Sequence, residues 1–205
     1  MKPKITIIIP CYNAEKWISE SINSALSQTY NNKEIIFVDN ESTDNSLDIA
    51  KEIQTKNPEL MVFTAPNLYR YSWEEPVNEG LSHATGDYFT ILGADDFIRE
   101  DYLSNISKII TASSNKIKLL QSPILGVKGD KEQYLGEIKH QYKNLQEFKT
   151  LLFSKCPVTT PSVVYKKDLY NDGIIRWKSE EYLGAVDYEL YFNIADNGLF
   201  IYPYP

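Results

Sequence analysis

Acidic residues directly follow two apolar segments of the chain, where they could hold a cation or a phosphorylated ligand. Asp39 and Asn40 come after the apolar run 35–38, and Asp95 and Asp96 come after another such run. Carboxylate oxygens are ligands that Mg²⁺ and Mn²⁺ prefer, and such an ion can in turn bind the phosphates of a nucleotide. The plainer alternative is that these residues are turn and cap residues. The two clusters together favour a metal-assisted phosphate site.

Phosphate can also be bound by a glycine-rich loop at the start of a helix. Neither GxxxxGK[ST] nor GxGxxG occurs in this sequence, which argues against a nicotinamide-dependent dehydrogenase. The acidic segment ILGADDF (91–97) therefore favours phosphate binding through a divalent cation.

Apolar periodicity predicts that strands and helices alternate through the first half of the chain. The predicted strands are 4–10, 33–39, 60–66 and 87–93, and the predicted helices are 13–30, 42–58, 74–86 and 99–113. This order predicts a three-layer α/β/α fold with a mostly parallel sheet. We expect Asn13 to cap the first helix, and Ser42 or Thr43 to cap the second. Gly86 suits the C-terminal end of the third.

The pattern changes after about residue 115. The sequence predicts a hairpin of 118–127 with 134–138, a helix over 144–153, a strand leading into a helix over 161–170, and a helix over 187–196. The two parts are expected to share one sheet, so that 1–205 forms a single domain.

The ends of the predicted strands locate a candidate site. In an open parallel sheet, ligands bind outside the carboxyl ends of the strands. The first strand ends in PCYN (10–13), the second in DNES (39–42) and the fourth in GADD (93–96). These three segments are therefore expected at one edge of the sheet.

Composition excludes several classes of protein. A net charge of −7 over 205 residues argues against nonspecific nucleic-acid binding. No apolar run approaches the roughly 20 residues of a membrane helix, and the N-terminus lacks a signal-peptide pattern, so we expect a cytoplasmic protein. Cys11 and Cys156 lie outside any CxxC or Cys/His cluster, which argues against zinc.

Three segments resemble the family 2 inverting glycosyltransferases of the GT-A fold, of the type that makes bacterial polysaccharides and cell-surface glycans. The segment ITIIIPCYNAEKWISESINSALSQTYNNKEIIFVDNESTDNS resembles their N-terminal region, and NEGLSHATGDYFTILGADD resembles the approach to their DxD metal motif. GAVDYELYFNIADNG resembles the helix whose leading Asp is their catalytic base. The resemblance covers nearly the whole chain. It implies a nucleotide-diphosphosugar donor, Mn²⁺ or Mg²⁺, and sugar transfer with inversion.

Carried over position by position, the resemblance implies a nucleotide-binding set of Pro10, Tyr12, Asn13, Asp39, Asn40, Arg70, Asn78 and Asp95. Pro10 and Tyr12 would flank the base, and Asp39 would contact the uridine portion together with Asn40. Asp95 and Asp96 would hold the ribose and the metal. Residues 1–115 would then be the nucleotide-binding half and 116–205 a smaller acceptor-side part.

The same resemblance implies that Asp187 is the general base. Its neighbours Val186, Tyr188 and Leu190 are apolar, and desolvation raises the pKa of a carboxyl group toward the range useful for a base. The alternative is an acid that is merely favoured by the dipole at a helix N-terminus.

The sequence departs from the family pattern at three places. Asn40 and Glu41 replace an Asp and a Gly, Val77 replaces an Arg, and Gly93 replaces the first Asp of the metal motif. Arg70 is the cation expected to compensate for Val77. A UDP-sugar is the favoured donor, although Asn40 leaves the base open.

These departures keep two other functions open. One is a non-catalytic member that binds nucleotide or glycan. The other is a sugar nucleotidyltransferase, although such enzymes usually carry a glycine-rich, basic loop where this chain has PCYNAEKW (10–17).

The acceptor side is less determined by the sequence. We expect a glycan or a lipid-linked acceptor, with a C-terminally truncated chain that ends soon after the helix of Asp187. The apolar residues of the helix 144–153 favour core packing, and the alternative is peripheral contact with the inner face of a membrane. Tyr69, Tyr71 and Trp73 could either stack on sugar or cover the core.

Overall fold

The computed structural model describes residues 2–68, 73–124, 126–128, 131–133, 142–182 and 185–203. The strands are β1 (Ile5–Cys11), β2 (Lys33–Asp39), β3 (Leu60–Thr64), β4 (Tyr88–Ile91), β5 (Leu119–Gln121), β6 (Gly126–Lys128), β7 (Lys131–Gln133), β8 (Val163–Lys166) and β9 (Tyr202–Pro203). The helices are α1 (Ile18–Leu26), α2 (Ser46–Lys56), α3 (Glu74–His83), α4 (Tyr102–Ala112), α5 (Leu145–Leu152), α6 (Asp168–Asn171), α7 (Ser179–Tyr182) and α8 (Val186–Asp196). A 3₁₀ turn, Thr160–Ser162, leads into β8.

Seven of these strands form one sheet, in the order β3-β2-β1-β4-β8-β5-β9. β3, β2, β1 and β4 are parallel, β8 is antiparallel to both of its neighbours, and β9 is parallel to β5. Short crossover helices join the parallel strands, as the alternating pattern predicts. The mostly parallel sheet is confirmed.

Helices cover both faces of the sheet. In β1, Ile5, Ile7 and Ile9 pack with residues of α1, α2 and α4, whereas Ile8 packs with residues of α3, α5 and α8. Successive side chains of a strand point to opposite faces, so a strand buried on both sides reads as a continuous apolar run such as ITIII. The three-layer α/β/α architecture is therefore also confirmed.

The part of the chain after residue 115 adds β5, β8 and β9 to the same sheet. The predicted pairing of 118–127 with 134–138 was wrong in its first strand, because β5 at 119–121 joins the main sheet. A shorter hairpin pairs β6 with β7, and the predicted second strand 134–138 lies outside the described residues. Phe148 and Leu152 of α5 are buried against α8, which confirms core packing for that helix. In the described part of the chain, every helix is too short or too polar to cross a bilayer.

The predicted helix starts were wrong at both caps. α1 begins at Ile18 with Trp17 as its N-cap residue, and α2 is preceded by Asn45. Asn13 instead has a φ of 51° and lies in the loop after β1. Its side chain and that of Ser42 make hydrogen bonds between two loops, so they are not available to cap their own helices.

The predicted end of α3 at Gly86 was also wrong. The helix ends at His83, and Gly86 lies just before β4. A Cβ atom on Gly86 would come within 2.5 Å of Thr6 Oγ1 and 2.8 Å of the Tyr88 carbonyl oxygen. Glycine is needed there because the chain passes against β1, as close backbone approaches require.

Candidate functional site

A cleft of about 290 Å³ opens at the edge of the sheet where the parallel strands end. The loops after β1, β2 and β4 and the start of α3 form its walls. Its lining consists of Pro10, Cys11, Tyr12, Asn13, Ala14, Trp17, Asn40, Trp73, Pro76, Gly93, Ala94 and Asp95. The structure thus brings the predicted segments PCYN, DNES and GADD together at one site, as the strand-end argument expects.

Aromatic side chains give this cleft flat apolar walls. Tyr12 is 53% exposed and Trp17 49% exposed, and Trp73 and Pro10 complete this part of the lining. Aromatic faces left open to solvent can stack on a nucleobase or on the C–H face of a sugar. Trp17 falls within the predicted helix 13–30, whereas in the structure it lies in the turn that precedes α1 and lines the cleft.

Asp39 is the last residue of β2, next to Asn40 of the cleft lining, and is only 2% exposed although it does not itself line the cleft. Its Oδ2 accepts a hydrogen bond from the backbone N–H of Ser42 at 3.0 Å. Its Oδ1 is buried and has no hydrogen-bond partner among the described residues. A buried carboxylate oxygen without a donor is costly in a folded protein, so it marks a place where a ligand could donate.

Hydrogen bonds tie the loop after β1 to the loop after β2. Asn13 Oδ1 accepts from the backbone N–H of Thr43 at 2.7 Å, and the Asn13 N–H donates to Ser42 Oγ at 3.0 Å. The backbone N–H of Asn40 donates to the Cys11 carbonyl at 2.7 Å. These bonds fix the two loops relative to each other before any ligand arrives.

A second set of hydrogen bonds extends this connection to the start of α2. The backbone N–H of Ala14 donates to Ser46 Oγ at 2.8 Å, and that of Glu15 donates to Asp44 Oδ2 at 3.0 Å. Desolvation acts to raise the pKa of Asp44, but the hydrogen bonds that it accepts outweigh this effect and lower its pKa.

The acidic turn after β4 folds both of its carboxylates over Gly93. A Cβ placed on Gly93 would lie 2.6 Å from Asp96 Oδ2 and 3.2 Å from Asp95 Oδ1, so the two oxygens converge on one point. The backbone N–H of Asp96 closes the turn onto the Gly93 carbonyl at 3.1 Å. Desolvation raises the pKa of the Asp96 carboxyl group, and the charge of Asp95 raises it further.

This turn fits a divalent cation. Two hard carboxylate oxygens are the usual protein contribution to a Mg²⁺ or Mn²⁺ site in which phosphates and water supply the other ligands. No group of three His, Cys, Asp or Glu residues that could hold a metal occurs in the described part of the chain. Asp95 and Asp96 are therefore the residues that would hold such an ion together with a phosphorylated substrate.

Asp187 lies in the first turn of α8, next to a group of buried hydroxyls. Desolvation raises the pKa of its carboxyl group, and a hydrogen bond from Thr160 partly offsets this effect. Thr160 Oγ1 is also 2.8 Å from the Tyr191 hydroxyl, which is 3.4 Å from the Tyr165 hydroxyl. Asp187 Oδ1 is buried without a hydrogen-bond partner among the described residues.

Strand register places Thr160 at the same edge of the sheet as the acidic turn. Thr90 of β4 pairs with Val164 of the antiparallel β8, and Thr90 Oγ1 donates to the Val163 carbonyl at 3.0 Å. The start of β8 therefore lies beside the end of β4. Asp187 reaches this edge through its contact with Thr160, although it is not among the residues that line the cleft.

Some predicted residues are placed elsewhere. Asn78 Oδ1 accepts from the Tyr170 hydroxyl at 3.1 Å, and Asn78 does not line the cleft. Arg70 lies outside the described residues, as do Tyr69 and Tyr71. Val77, which replaces the Arg of the family pattern, is buried in the core.

Cys11 lines the cleft but is not activated. Burial raises the pKa of its thiol to about 11, so the thiol is neutral near pH 7.

Two contributions to the site were missed at the sequence level. Trp17 was placed only within the predicted helix 13–30, and Thr160 was not singled out. The sequence did offer a signal for Trp17, because this large aromatic residue stands at the start of the apolar pattern that predicts the helix. Nothing local marks Thr160, because its contact with Asp187 joins residues that are distant in sequence.

Comparison with known proteins supports a family assignment. The family model described as Glycosyl transferase family 2 matches residues 6–171. An uncharacterized glycosyltransferase of Haemophilus influenzae is 27% identical over 203 residues, which cover 96% of this chain and 61% of that protein. The chain thus spans less than two thirds of the length of this relative.

Solved structures resemble the chain over nearly its full length. S. aureus TarS (1–349) superposes with a TM-score of 0.78 at 25% identity, over 98% of this chain and 57% of that one. The TarS complex with UDP matches at 25% identity and a TM-score of 0.73, over 93% of this chain and 55% of that one. The mannosyltransferase PcManGT of Pyrobaculum calidifontis, in complex with GDP-Man and Mn²⁺, matches at 20% identity and a TM-score of 0.69, over 100% of this chain and 55% of that one. The fold is therefore GT-A.

Proposed function

The chain belongs to glycosyl transferase family 2, and from this premise we propose that it transfers a sugar from a nucleotide-diphosphosugar to an acceptor hydroxyl with inversion of configuration. The observation that carries the proposal is the convergence of an aromatic cleft, a buried aspartate and a two-carboxylate turn at one sheet edge. We favour a UDP-sugar as donor, a choice supported by the UDP complex of TarS. The acceptor is a glycan or a lipid-linked sugar.

Residues of the cleft bind the nucleoside. Tyr12 and Trp17 offer exposed aromatic faces for stacking on the base. Asp39 Oδ1 accepts a hydrogen bond from the imide N–H of uracil, which satisfies an oxygen that has no partner among the described residues. The hydrogen bonds of Asn13 with the loop after β2 hold this geometry in advance.

The acidic turn serves the diphosphate. Asp95 and Asp96 would hold Mn²⁺ or Mg²⁺, which when bound neutralises charge on the departing nucleoside diphosphate. The binding of a divalent metal by PcManGT supports this choice of cofactor, through likeness of fold.

Asp187 acts on the acceptor. Its carboxylate accepts the proton of the acceptor hydroxyl while that oxygen attacks the anomeric carbon. The bond from this carbon to the diphosphate oxygen breaks as the new glycosidic bond forms, so that one displacement inverts the configuration. Desolvation raises the pKa of Asp187 above that of an exposed aspartate, which makes it a better base.

Substitution of Asp187 tests the proposal. We expect Asp187→Asn to lower transfer from a UDP-sugar by about 10²- to 10⁴-fold, because a general base contributes on that scale. UDP release is measured with a panel of UDP-sugars and acceptors, and UDP binding by thermal shift with and without Mn²⁺. Asp187→Asn is expected to bind UDP as the unmodified protein does.

The control is Asp196→Asn at the exposed end of the same helix, which should keep full activity. Retained transfer in Asp187→Asn would refute the base assignment. Stabilisation by UDP and Mn²⁺ without any turnover would favour a non-catalytic binding member. Formation of a nucleotide-sugar from a sugar phosphate would favour a nucleotidyltransferase.

A further inference from the structure

The turn that carries Asp95 and Asp96 lies in a connection without regular secondary structure. β4 ends at Ile91 and α4 begins at Tyr102, and the residues between them form turns and irregular segments. The sheet therefore does not position these two carboxylates through strand hydrogen bonds. Other contacts must therefore hold the two carboxylates in place, because a binding site keeps its geometry only when neighbouring groups support it.

Polar side chains of α1 and of the residues just after it point toward this connection. Ser21, Ser24 and Gln28 follow one another at three- and four-residue intervals, which places them on one side of the helix. Ser21 and Gln28 are buried, with exposed fractions of 0% and 3%. The apolar residues of α1, such as Ile22 and Ala25, pack on the sheet core instead.

Ser21 contacts the acidic turn directly. Its Oγ donates to the Gly93 carbonyl at 3.0 Å, and the same carbonyl accepts the backbone N–H of Asp96 at 3.1 Å. The hydroxyl of Ser21 thus fixes the carbonyl that closes the turn. The two carboxylates, Asp95 and Asp96, fold back over this same glycine.

Ser24 and Gln28 hold the rest of the connection. Ser24 Oγ accepts the backbone N–H of Ile98 at 3.2 Å. Gln28 Nε2 donates to the Arg99 carbonyl at 2.7 Å, and its Oε1 accepts the backbone N–H of Leu103 at 3.0 Å. The hydrogen bonds of Ser21, Ser24 and Gln28 therefore hold the chain on both sides of the stretch 94–97, which contains Asp95 and Asp96.

We propose that Ser21 and Gln28 are positioning residues that hold the acidic turn in the geometry that binds a divalent cation together with a nucleoside diphosphate. This inference rests on the proposed function, because it assumes that Asp95 and Asp96 hold such an ion. It assigns to the polar side of α1 a role in donor binding that goes beyond helix packing.

UDP affinity with and without Mn²⁺ tests this role in the whole chain. In Ser21→Ala we expect the Kd for UDP with Mn²⁺ to rise about three- to tenfold, since one buried hydrogen bond contributes on that scale. The Kd for UDP without metal should change less than about twofold, because the hydroxyl of this serine bonds to Gly93 and not to Tyr12 or Asp39. Gln28→Met should likewise raise the Kd for UDP with Mn²⁺ and leave the Kd without metal nearly unchanged.

Ser27→Ala is the matched control. Ser27 lies just after α1 and is exposed, and its hydroxyl donates to the Ser24 carbonyl rather than to the connection after β4. This variant removes the same chemical group without loosening the acidic turn. We therefore expect UDP affinities equal to those of the unmodified protein under both conditions.

Limited digestion with chymotrypsin gives a readout that needs no metal or nucleotide. Phe97 is 42% exposed within the stretch 94–97, and Phe153, which is 82% exposed after α5, serves as a reference site in the same digest. We expect Ser21→Ala and Gln28→Met to be cut severalfold faster after Phe97, with cleavage after Phe153 unchanged.

The outcomes separate this inference from the proposed function. If the unmodified protein binds UDP more tightly with Mn²⁺ but Ser21→Ala does so equally well, the positioning role is wrong and the donor site stands. Equal acceleration at Phe97 and Phe153 would mean general destabilisation and would also overturn the role. If Mn²⁺ does not change UDP affinity in the unmodified protein, the metal-assisted donor site itself fails, and the positioning role fails with it.

Discussion

Asp187 is subject to two opposing influences on its protonation. Desolvation raises the pKa of its carboxyl group, whereas the hydrogen bond from Thr160 lowers it. Thr160 is 2.8 Å from the hydroxyl of Tyr191, which restricts the directions in which the threonine hydroxyl can point. The threonine thus keeps the carboxylate ionised at lower pH than burial alone would allow.

Thr160→Val is expected to shift the acidic limb of the pH–rate profile to higher pH. The substitution keeps the shape of the side chain but removes the donor that stabilises the charged form, so the pKa of Asp187 rises further. A base with a raised pKa is protonated over a wider acidic range, so activity should fall most below neutral pH and least at alkaline pH. The profile of kcat for sugar transfer measures the shift.

Thr159→Val is the control for this change, since Thr159 is the adjacent residue and its side chain is exposed. Its profile should match that of the unmodified protein. A uniform loss of kcat at every pH in Thr160→Val would contradict an effect on protonation and would indicate displaced structure instead.

Gly93 explains one departure from the family pattern at the level of a single residue. A Cβ at this position would lie 2.6 Å from Asp96 Oδ2, which is closer than ordinary contact allows. The glycine therefore leaves space that the Asp96 carboxylate fills, and a side chain at position 93 would require this flexible carboxylate to move. The structure gives no comparable account of Asn40.

At the scale of elements, Gly86 joins α3 to the sheet. It lies against Thr6 of β1, and a Cβ there would meet the backbone N of Thr6 at 3.0 Å and the backbone O of Tyr88 at 2.8 Å. Backbone atoms of two paired strands cannot move aside as a flexible side chain can. The approach of β1 and β4 at this point thus depends on the missing side chain.

We expect Gly86→Ala to lower the free energy of unfolding by about 1–3 kcal/mol, the usual cost of overpacking a well-packed site. Chemical denaturation measures the change. Gly198→Ala is a useful comparison, because Gly198 has a φ of +74° but nothing within 4 Å of an added Cβ. Its cost, about 1 kcal/mol, should come from backbone strain alone. Equal stability of Gly86→Ala and the unmodified protein would contradict the close approach.

The elements that could be predicted well from the sequence are those whose structure follows from the local pattern of apolar residues. β1 and β2 were predicted correctly because ITIII and IIFV are buried on both faces, and such runs are recognisable without tertiary information. The starts of α1 and α2 were not, because Asn13 and Ser42 hydrogen-bond between loops that are 29 residues apart in sequence. Thr160 was not predicted for the same reason, since its contact with Asp187 also joins residues that are distant in sequence. The candidate site could thus be predicted where strands end, but not where distant loops interlock.

At the scale of the whole molecule, buried acidic residues differ in their hydrogen bonding between the two edges of the sheet. At the carboxyl edge, Asp39 keeps one oxygen without a partner among the described residues. At the opposite edge, Glu34 accepts hydrogen bonds from Thr6 Oγ1 at 2.7 Å and from the backbone N–H of Thr85 at 2.8 Å, and pairs with Lys4 at 2.9 Å. The acid at one edge is fully hydrogen-bonded within the protein, whereas the acid at the other keeps an oxygen that the proposed ligand would bind.

Glu34 therefore links the acid stability of the molecule to one buried group. Desolvation acts to raise its pKa, but hydrogen bonds from Thr85, Thr6 and Lys4 outweigh this effect and lower the pKa below the ordinary glutamate value of 4.5. Because the folded pKa lies below the unfolded one, the stabilisation is complete above about pH 4.5 and is lost as pH falls through the folded value. Glu34→Gln removes the charge while keeping the shape.

We expect Glu34→Gln to lower the free energy of unfolding by about 1.5–3 kcal/mol near neutral pH, because it removes hydrogen bonds to a buried charged acceptor. Its deficit relative to the unmodified protein should shrink as pH falls below about 4.5 and through the lowered pKa of the folded state, where the glutamate also loses its charge. Urea denaturation across this range measures both effects. Glu52→Gln is the control: Glu52 and its partner Lys56 are exposed, so the loss should stay below about 0.5 kcal/mol. A deficit for Glu34→Gln that does not vary with pH would show that the carboxylate charge is not what holds β1, β2 and the approach to β4 together.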